Sequence, residues 1–98
     1  MLESMDDVPE VLGKALNQGG LVLQETELSP AFFDLSTGIA GELFQKIMNY
    51  HGRLAIVVEN RGKYGERFSE LVYEHRSHDS IQFFNTTAAA EDWLTGSS

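Results

Sequence analysis

Apolar residues recur at Val8, Val11, Leu12, Ala15 and Leu16, the i, i+3, i+4, i+7, i+8 spacing of a helix with one buried stripe. Asp6 or Asp7 is placed to cap it, Pro9 is tolerated in its first turn, and Gly19-Gly20 offers a positive-φ stop. The period then changes. Leu21-Val22-Leu23 is short, apolar and bounded by glycine and Glu25, which predicts a strand. Ser29-Pro30 interrupts the chain, and Phe32 to Gly38 reads as a loop that opens a second helix with its stripe at Ile39, Leu43, Ile47 and Tyr50. Ala40, Phe44, Met48 and His51 widen that stripe, so this helix needs cover from the sheet and from either another helix or another chain. His51-Gly52 ends it, and Leu54-Ala55-Ile56-Val57-Val58 follows as an unbroken apolar run. Such a run marks a strand buried on both faces of a parallel sheet, here its central strand.

Asn60 to Gly65 is polar and glycine-rich and reads as a flexible surface loop. Phe68, Leu71, Val72 and His75 predict a third helix, Ile81-Gln82-Phe83-Phe84 a third strand, and Thr86 or Thr87 the cap of a last helix running through Ala88-Ala89-Ala90 to Trp93-Leu94. Gly96-Ser97-Ser98 reads as a frayed end. The order α-β-α-β-α-β-α predicts a single α/β domain over residues 1–98, with a small, mainly parallel sheet of about three strands and four helices. A chain that opens on a helix, with so few strands, is expected to leave one sheet edge open to a loop, a charge or another chain.

Composition narrows the function classes. At 98 residues and 42% hydrophobic, the chain can bury one core and is not of disordered composition. Fifteen acidic residues against seven basic give a net charge of −8, a field that repels phosphate backbones and anionic headgroups; nucleic acid and membrane are therefore not expected partners. Without cysteine there is neither a disulfide framework nor a thiolate zinc site, and the simplest expectation is a cytoplasmic protein. Residues 1–7 are acidic, and no stretch approaches the roughly 18 apolar residues of a membrane span.

Little in the sequence points to catalysis. His75 and His78 stand three apart near the end of the third helix, but zinc needs three or four ligands and no Cys or further His lies in reach. Favourable charge at a helix carboxyl end explains them, and His51, more simply. Ser36, His51 and Asp34 can be written as a triad, yet no G-x-S-x-G elbow surrounds the serine. Gly62-Lys63-Tyr64-Gly65 lacks the spacing of a phosphate loop, and Tyr64, Phe68 and Trp93 fit core aromatics at helical spacing. The expectation is a non-enzymatic chain with no metal and no cofactor.

Phe32-Phe33-Asp34-Leu35-Ser36-Thr37-Gly38-Ile39-Ala40-Gly41-Glu42-Leu43, with Gln45-Lys46, Asn49-Tyr50 and Arg53 to Val57, resembles the signature stretch of the bacterial family named domain of unknown function 4180. The resemblance continues through Phe68 to Glu74 and Phe83-Phe84. The resemblance implies a further hairpin or strand pair ahead of the first helix; the expectation is that this chain lacks it, which adds to the expected open edge. More distantly, Asp34-Leu35-Ser36-Thr37-Gly38 before an apolar helix and strand is similar to the core of anti-sigma-factor antagonist (STAS) domains. That similarity implies a STAS-like domain, a partner kinase that phosphorylates the position of Thr37, with Ser36 beside it, and a partner surface around this loop. Free amides at a helix start favour an added phosphate, whereas Asp34 opposes it. The simpler alternative is that Asp34, Ser36 or Thr37 only caps the helix.

Three functions follow as expectations. The first is a regulatory interaction module acting through loop 32–38 and the second helix on a protein partner or a second copy. The second is a small-ligand or enzymatic pocket at the carboxyl ends of the strands, formed by loops 25–36, 59–65 and 85–87, where open α/β sheets bind ligands. The third is homodimerisation through the exposed edge and the wide face of the second helix.

Overall fold

The computed structural model describes residues 5–76 and 78–96; residues 1–4 of the acidic start and Ser97-Ser98 of the expected frayed end lie outside them, while Gly96 is the left-handed cap of the last helix. Three parallel strands, β1 (Leu21–Gln24), β2 (Leu54–Val57) and β3 (Ile81–Phe84), form one sheet in the order β1-β2-β3. Leu23, Ile56 and Phe83 stand in register across it. All four residues of β2 are buried, as its unbroken apolar run predicts for a central strand.

Four helices of nine to eleven residues accompany the strands: α1 (Val8–Gln18), α3 (Ile39–Asn49), α4 (Glu66–Glu74) and α5 (Thr87–Thr95). A single turn, α2 (Pro30–Phe33), and 3-10 turns at Leu35–Thr37 and Arg61–Tyr64 occupy segments that read as loops in the sequence. Phe32 and Phe33 explain the first departure. Both are buried, and their rings meet edge to face at 5.4 Å, so the segment folds inward around them.

The two sheet faces are unequal. Leu23, Ile56 and Phe83 join Val11, Ala15, Leu43, Phe44, Ile47, Phe68 and Val72 in the main core beneath α1, α3 and α4. On the other face α5 alone lies across all three strands. There Ala55, Val57 and Ala90 form a small cluster with the partly buried Val22, Phe84, Trp93 and Leu94. Arg53 ties this thin layer down: its Nη1 and Nη2 donate to the carbonyls of Leu94 (3.3 Å) and Trp93 (3.1 Å), and its guanidinium lies 4.1 Å from the Trp93 ring centre.

The wide stripe of α3 is covered by its own chain. Ile39, Ala40, Leu43, Phe44 and Ile47 are buried against α1, α2 and the sheet, leaving Met48 and Tyr50 exposed at the helix end. Both α1 and α3 stop in the same way. Gly19 (φ 70°) lets the Gly20 N–H reach the Ala15 carbonyl at 2.9 Å, and His51 (φ 59°) lets the Gly52 N–H reach the Ile47 carbonyl at 2.8 Å.

Both edge strands carry a side-chain plug. The Leu21 N–H donates to the Arg53 carbonyl, so by alternation the Gln24 amide faces away from β2. It donates there to Glu27 Oε1 at 3.0 Å. At the start of β3, His78 Nδ1 accepts from the N–H groups of Ser80 (3.0 Å) and Ile81 (3.1 Å). Occupied amides and four-residue strands leave little ladder for an incoming chain.

Candidate functional site

The carboxyl ends of the strands gather three connections. From β1 the chain passes through Glu25–Glu27, α2 and the turn Leu35–Thr37 into α3; from β2 it passes through Arg61–Tyr64 into α4; from β3 Asn85 and Thr86 lead into α5. Thr86 caps α5 as expected, its Oγ1 accepting from the Ala89 N–H at 3.2 Å.

Between the first two connections lies a cleft of about 730 Å³ with an aromatic floor. Tyr64 stacks on Phe33 with ring centres 3.7 Å apart and planes 7° from parallel, and Phe68 meets both edge-on at 5.2 and 5.5 Å. Asp34 and Leu35 line one side, Lys63 and Arg67 the other. A second cavity of about 290 Å³ lies directly at the strand ends, lined by Gln24, Glu25, Val57, Glu59, Asn85 and Thr87 among others. Gln24 Nε2 donates across it to Thr87 Oγ1 at 2.8 Å.

Glu25 joins the two connections. Its Oε1 accepts from the Glu59 N–H at 3.3 Å, its Oε2 accepts from the Tyr64 hydroxyl, and Lys63 Nζ stands 3.9 Å from the same Oε2. A carboxylate that accepts from a backbone amide and a phenol while facing a cation organises both flanking loops.

The segment Asp34 to Gly38 is internally tied and faces outward. Asp34 Oδ1 accepts from Ser36 Oγ at 2.6 Å and from the Ser36 N–H at 3.1 Å. These two bonds, the hydroxyl's first, hold its carboxyl below the ordinary aspartate value of 3.8, with help from the nearby Arg67 charge. The single hydroxyl hydrogen of Thr37 is shared between the carbonyls of Ala31 (2.7 Å from Oγ1) and Asp34 (2.9 Å). Asp34, Ser36 and Thr37 are exposed and Gly38 is half-buried. Capping is divided in a way that the sequence does not reveal. Asp34 caps the turn Leu35–Thr37, and Gly38, left-handed at φ 80°, occupies the N-cap of α3. Thr37 Oγ1 is only a distant acceptor, at 3.4 Å, for the Ile39 N–H.

Of the residues singled out in the sequence, Asp34 lines the cleft, while Ser36 and Thr37 stand on exposed surface beside it. Phe32 and Phe33 cannot be presented to a partner as part of a loop, since both are buried. Tyr64, read from the sequence as a core aromatic, is half-buried and stacks on Phe33, and its hydroxyl bond to Glu25 is the part that its glycine-rich surroundings do not show. Two contributors are not singled out by the sequence: Glu25, because a carboxylate after a strand carries no mark of its distant partners, and Arg67, because nothing local pairs its charge with Asp34.

The histidine pair is placed for structure. The α4 helix ends at Glu74, His75 Nδ1 donates to the Leu71 carbonyl at 2.8 Å, and the His75 and His78 ring centres lie 5.0 Å apart. Because His78 Nδ1 accepts two N–H groups, its remaining ring nitrogen carries the hydrogen in the neutral form and cannot then bind a metal. Among the described residues no three His, Cys, Asp or Glu side chains converge, and no helix is long and apolar enough to cross a membrane.

Comparison with curated proteins and with solved structures finds no match to this chain. The model of one family matches residues 1–94, covering the sheet, the helices that bury it and the cleft. The chain therefore belongs to the family described as domain of unknown function (DUF4180).

Proposed function

We propose that this chain is a non-enzymatic binding module that meets a protein partner through the rim Asp34 to Gly38 and the aromatic-floored cleft beside it. The observation that carries this reading is a surface that is exposed yet already ordered. Asp34, Ser36 and Thr37 are fixed by their own hydrogen bonds next to the Phe33, Tyr64 and Phe68 floor. Ordering a contact surface before association lowers the entropy lost on binding. Of the floor rings Tyr64 is the accessible one, half-buried beside the exposed Lys63 and Arg67, and a tyrosine flanked by cations is the kind of side chain from which binding hot spots are built. The similarity of Asp34-Leu35-Ser36-Thr37-Gly38 to the STAS loop supports regulation at the same place. A phosphate on Thr37 would end its donation to the Ala31 carbonyl and add negative charge beside Asp34, with Arg67 as the nearby cation.

Photo-crosslinkers placed at Ser36, at Arg67 across the cleft, and at Glu91 on the exposed side of α5 test this reading in living cells. Protein adducts at the first two positions, absent at Glu91 and weakened by Thr37→Asp, are expected. Equal yields at all three positions, or no response to the substitution, would contradict it. Sedimentation of the purified chain tells whether the partner is a second copy.

The cavities at the strand ends favour a second reading, a small-ligand site. Open parallel sheets bind ligands at this end, and about 730 Å³ falls within the usual range of such sites. Fragment screening by NMR, with shifts clustered on Phe33, Tyr64 and Thr87, would support it.

A further inference from the structure

We infer that Arg61–Tyr64 is a strap held shut by Glu25, and that breaking the Glu25–Tyr64 contact joins the two cavities at the strand ends into one. Glu25 lines the smaller cavity, whereas Lys63 and Tyr64 line the larger. The bond from the Tyr64 hydroxyl to Glu25 Oε2 therefore stands between them. The strap's backbone bonds close upon itself, from the Lys63 N–H to the Asn60 carbonyl (3.3 Å) and from the Gly65 N–H to the Gly62 carbonyl (3.4 Å). Among its described side chains, Lys63 and Tyr64 attach it to the rest of the domain: the phenol and the ammonium on Glu25, and the ring on Phe33 and Phe68. Gly65, at φ 97° with nothing within 4 Å of the place a Cβ would take, supplies a hinge with unrestricted backbone and free space around it.

The consequence is a two-state cleft. With the latch closed, Tyr64 completes the aromatic floor and Glu25 is occupied on both oxygens. With it open, the faces of Phe33 and Phe68 and the polar strand-end groups of Gln24, Asn85 and Thr87 border a continuous cavity. Glu25 is the one side chain on which the Glu59 amide, the Tyr64 hydroxyl and the Lys63 ammonium all converge. A ligand or partner that supplies another acceptor to Tyr64 would shift the strap towards the open state by that differential interaction. This device concerns the shape of the site, and it operates whether the occupant is a protein segment or a small molecule.

Hydrogen exchange on the purified chain tests it. Tyr64→Phe keeps the ring stacked on Phe33 and deletes the hydroxyl, and Glu25→Gln keeps the side-chain volume while removing the charge that faces Lys63. Loss of one such bond is expected to speed exchange of the Glu59, Lys63 and Gly65 amides by about three- to tenfold in each variant. Ala55 and Ile56 of β2 should exchange at the wild-type rate. Unchanged exchange at residues 59–65 in both variants would overturn the strap, and so would a uniform rise through β2, which would make Glu25 a general stabiliser.

Discussion

Arg53→Ala should loosen one layer of this domain. On the α5 face the buried cluster among the described residues is small, Ala55, Val57 and Ala90, so hydrophobic contact alone holds α5 weakly. Arg53 adds two charge-assisted hydrogen bonds to the last carbonyls of the helix and lies over Trp93. At a partly exposed helix end the two bonds from the charged group contribute about 1.5 to 2 kcal/mol together, the lower part of the usual range, and the ring contact about 0.5 to 1. A loss of about 2 to 3 kcal/mol is therefore expected. That is a large part of the roughly 5 to 10 kcal/mol available to a domain of this size. Arg53→Lys keeps a charge but cannot span both carbonyls while lying flat on the indole, and should lose about 1 to 2 kcal/mol. Trp93 is the single tryptophan and reports α5 directly. In urea, with a slope of about 1 to 2 kcal/mol per M, the Trp93 fluorescence midpoint should fall by roughly 1 to 3 M in the alanine variant. It should also precede the circular-dichroism midpoint if α5 leaves the sheet first. An unchanged midpoint, or a lysine variant as stable as wild type, would refute the assignment of Arg53 as the tie.

Other substitutions probe separate parts of the structure. His51 sits at φ 59°, where a side chain is strained, so His51→Gly should raise stability by about 0.5 to 1 kcal/mol, visible as a rise of several degrees in Tm; a fall would mean that the ring makes contacts worth more than the strain. Ala90 is fully buried against Ala55 and Val57, and Ala90→Leu should cost about 1 to 3 kcal/mol through overpacking, measured by denaturant unfolding. The Asp34 carboxyl should titrate below 3.8 by NMR, and Ser36→Ala should move it up towards that value. Because the folded value lies below the unfolded one, the tie between Asp34 and Ser36 is fully present above about pH 4 and weakens as pH falls through the folded value.

What the chain's pattern reveals about itself is mostly periodic. The order of strands and helices, the central place of Leu54 to Val58 and the stops at Gly19 after α1 and at His51-Gly52 after α3 all follow from spacing and punctuation, because burial on one or both faces writes a regular signal. The inward turn of Phe32 and Phe33 breaks no period and so reads as a loop. The breadth of the α3 stripe was legible, but its cover was not. A second chain and the chain's own α1 make the same demand on sequence, and only packing shows that α1 meets it. The edge plugs at Glu27 and His78 depend on single side chains folding back on a strand, which no periodicity records. Asp34, Ser36 and Thr37 were visible as a polar cluster before a helix, since those residue types favour turns and caps. The other half of the cleft, with Tyr64 and Arg67, and the Glu25 contacts that link it to the smaller cavity cross 30 residues or more and have no local signature.

The central claim is that Asp34 to Gly38 and the neighbouring cleft form the binding surface. Hydrogen exchange of the chain alone and in complex with the protein it crosslinks to tests this most directly. Protection confined to residues 34–38 and 63–68, with α5 and the edges of β1 and β3 exchanging as in the free chain, is the predicted result. Protection centred on α5 or on a sheet edge, with the cleft unchanged, would contradict the account.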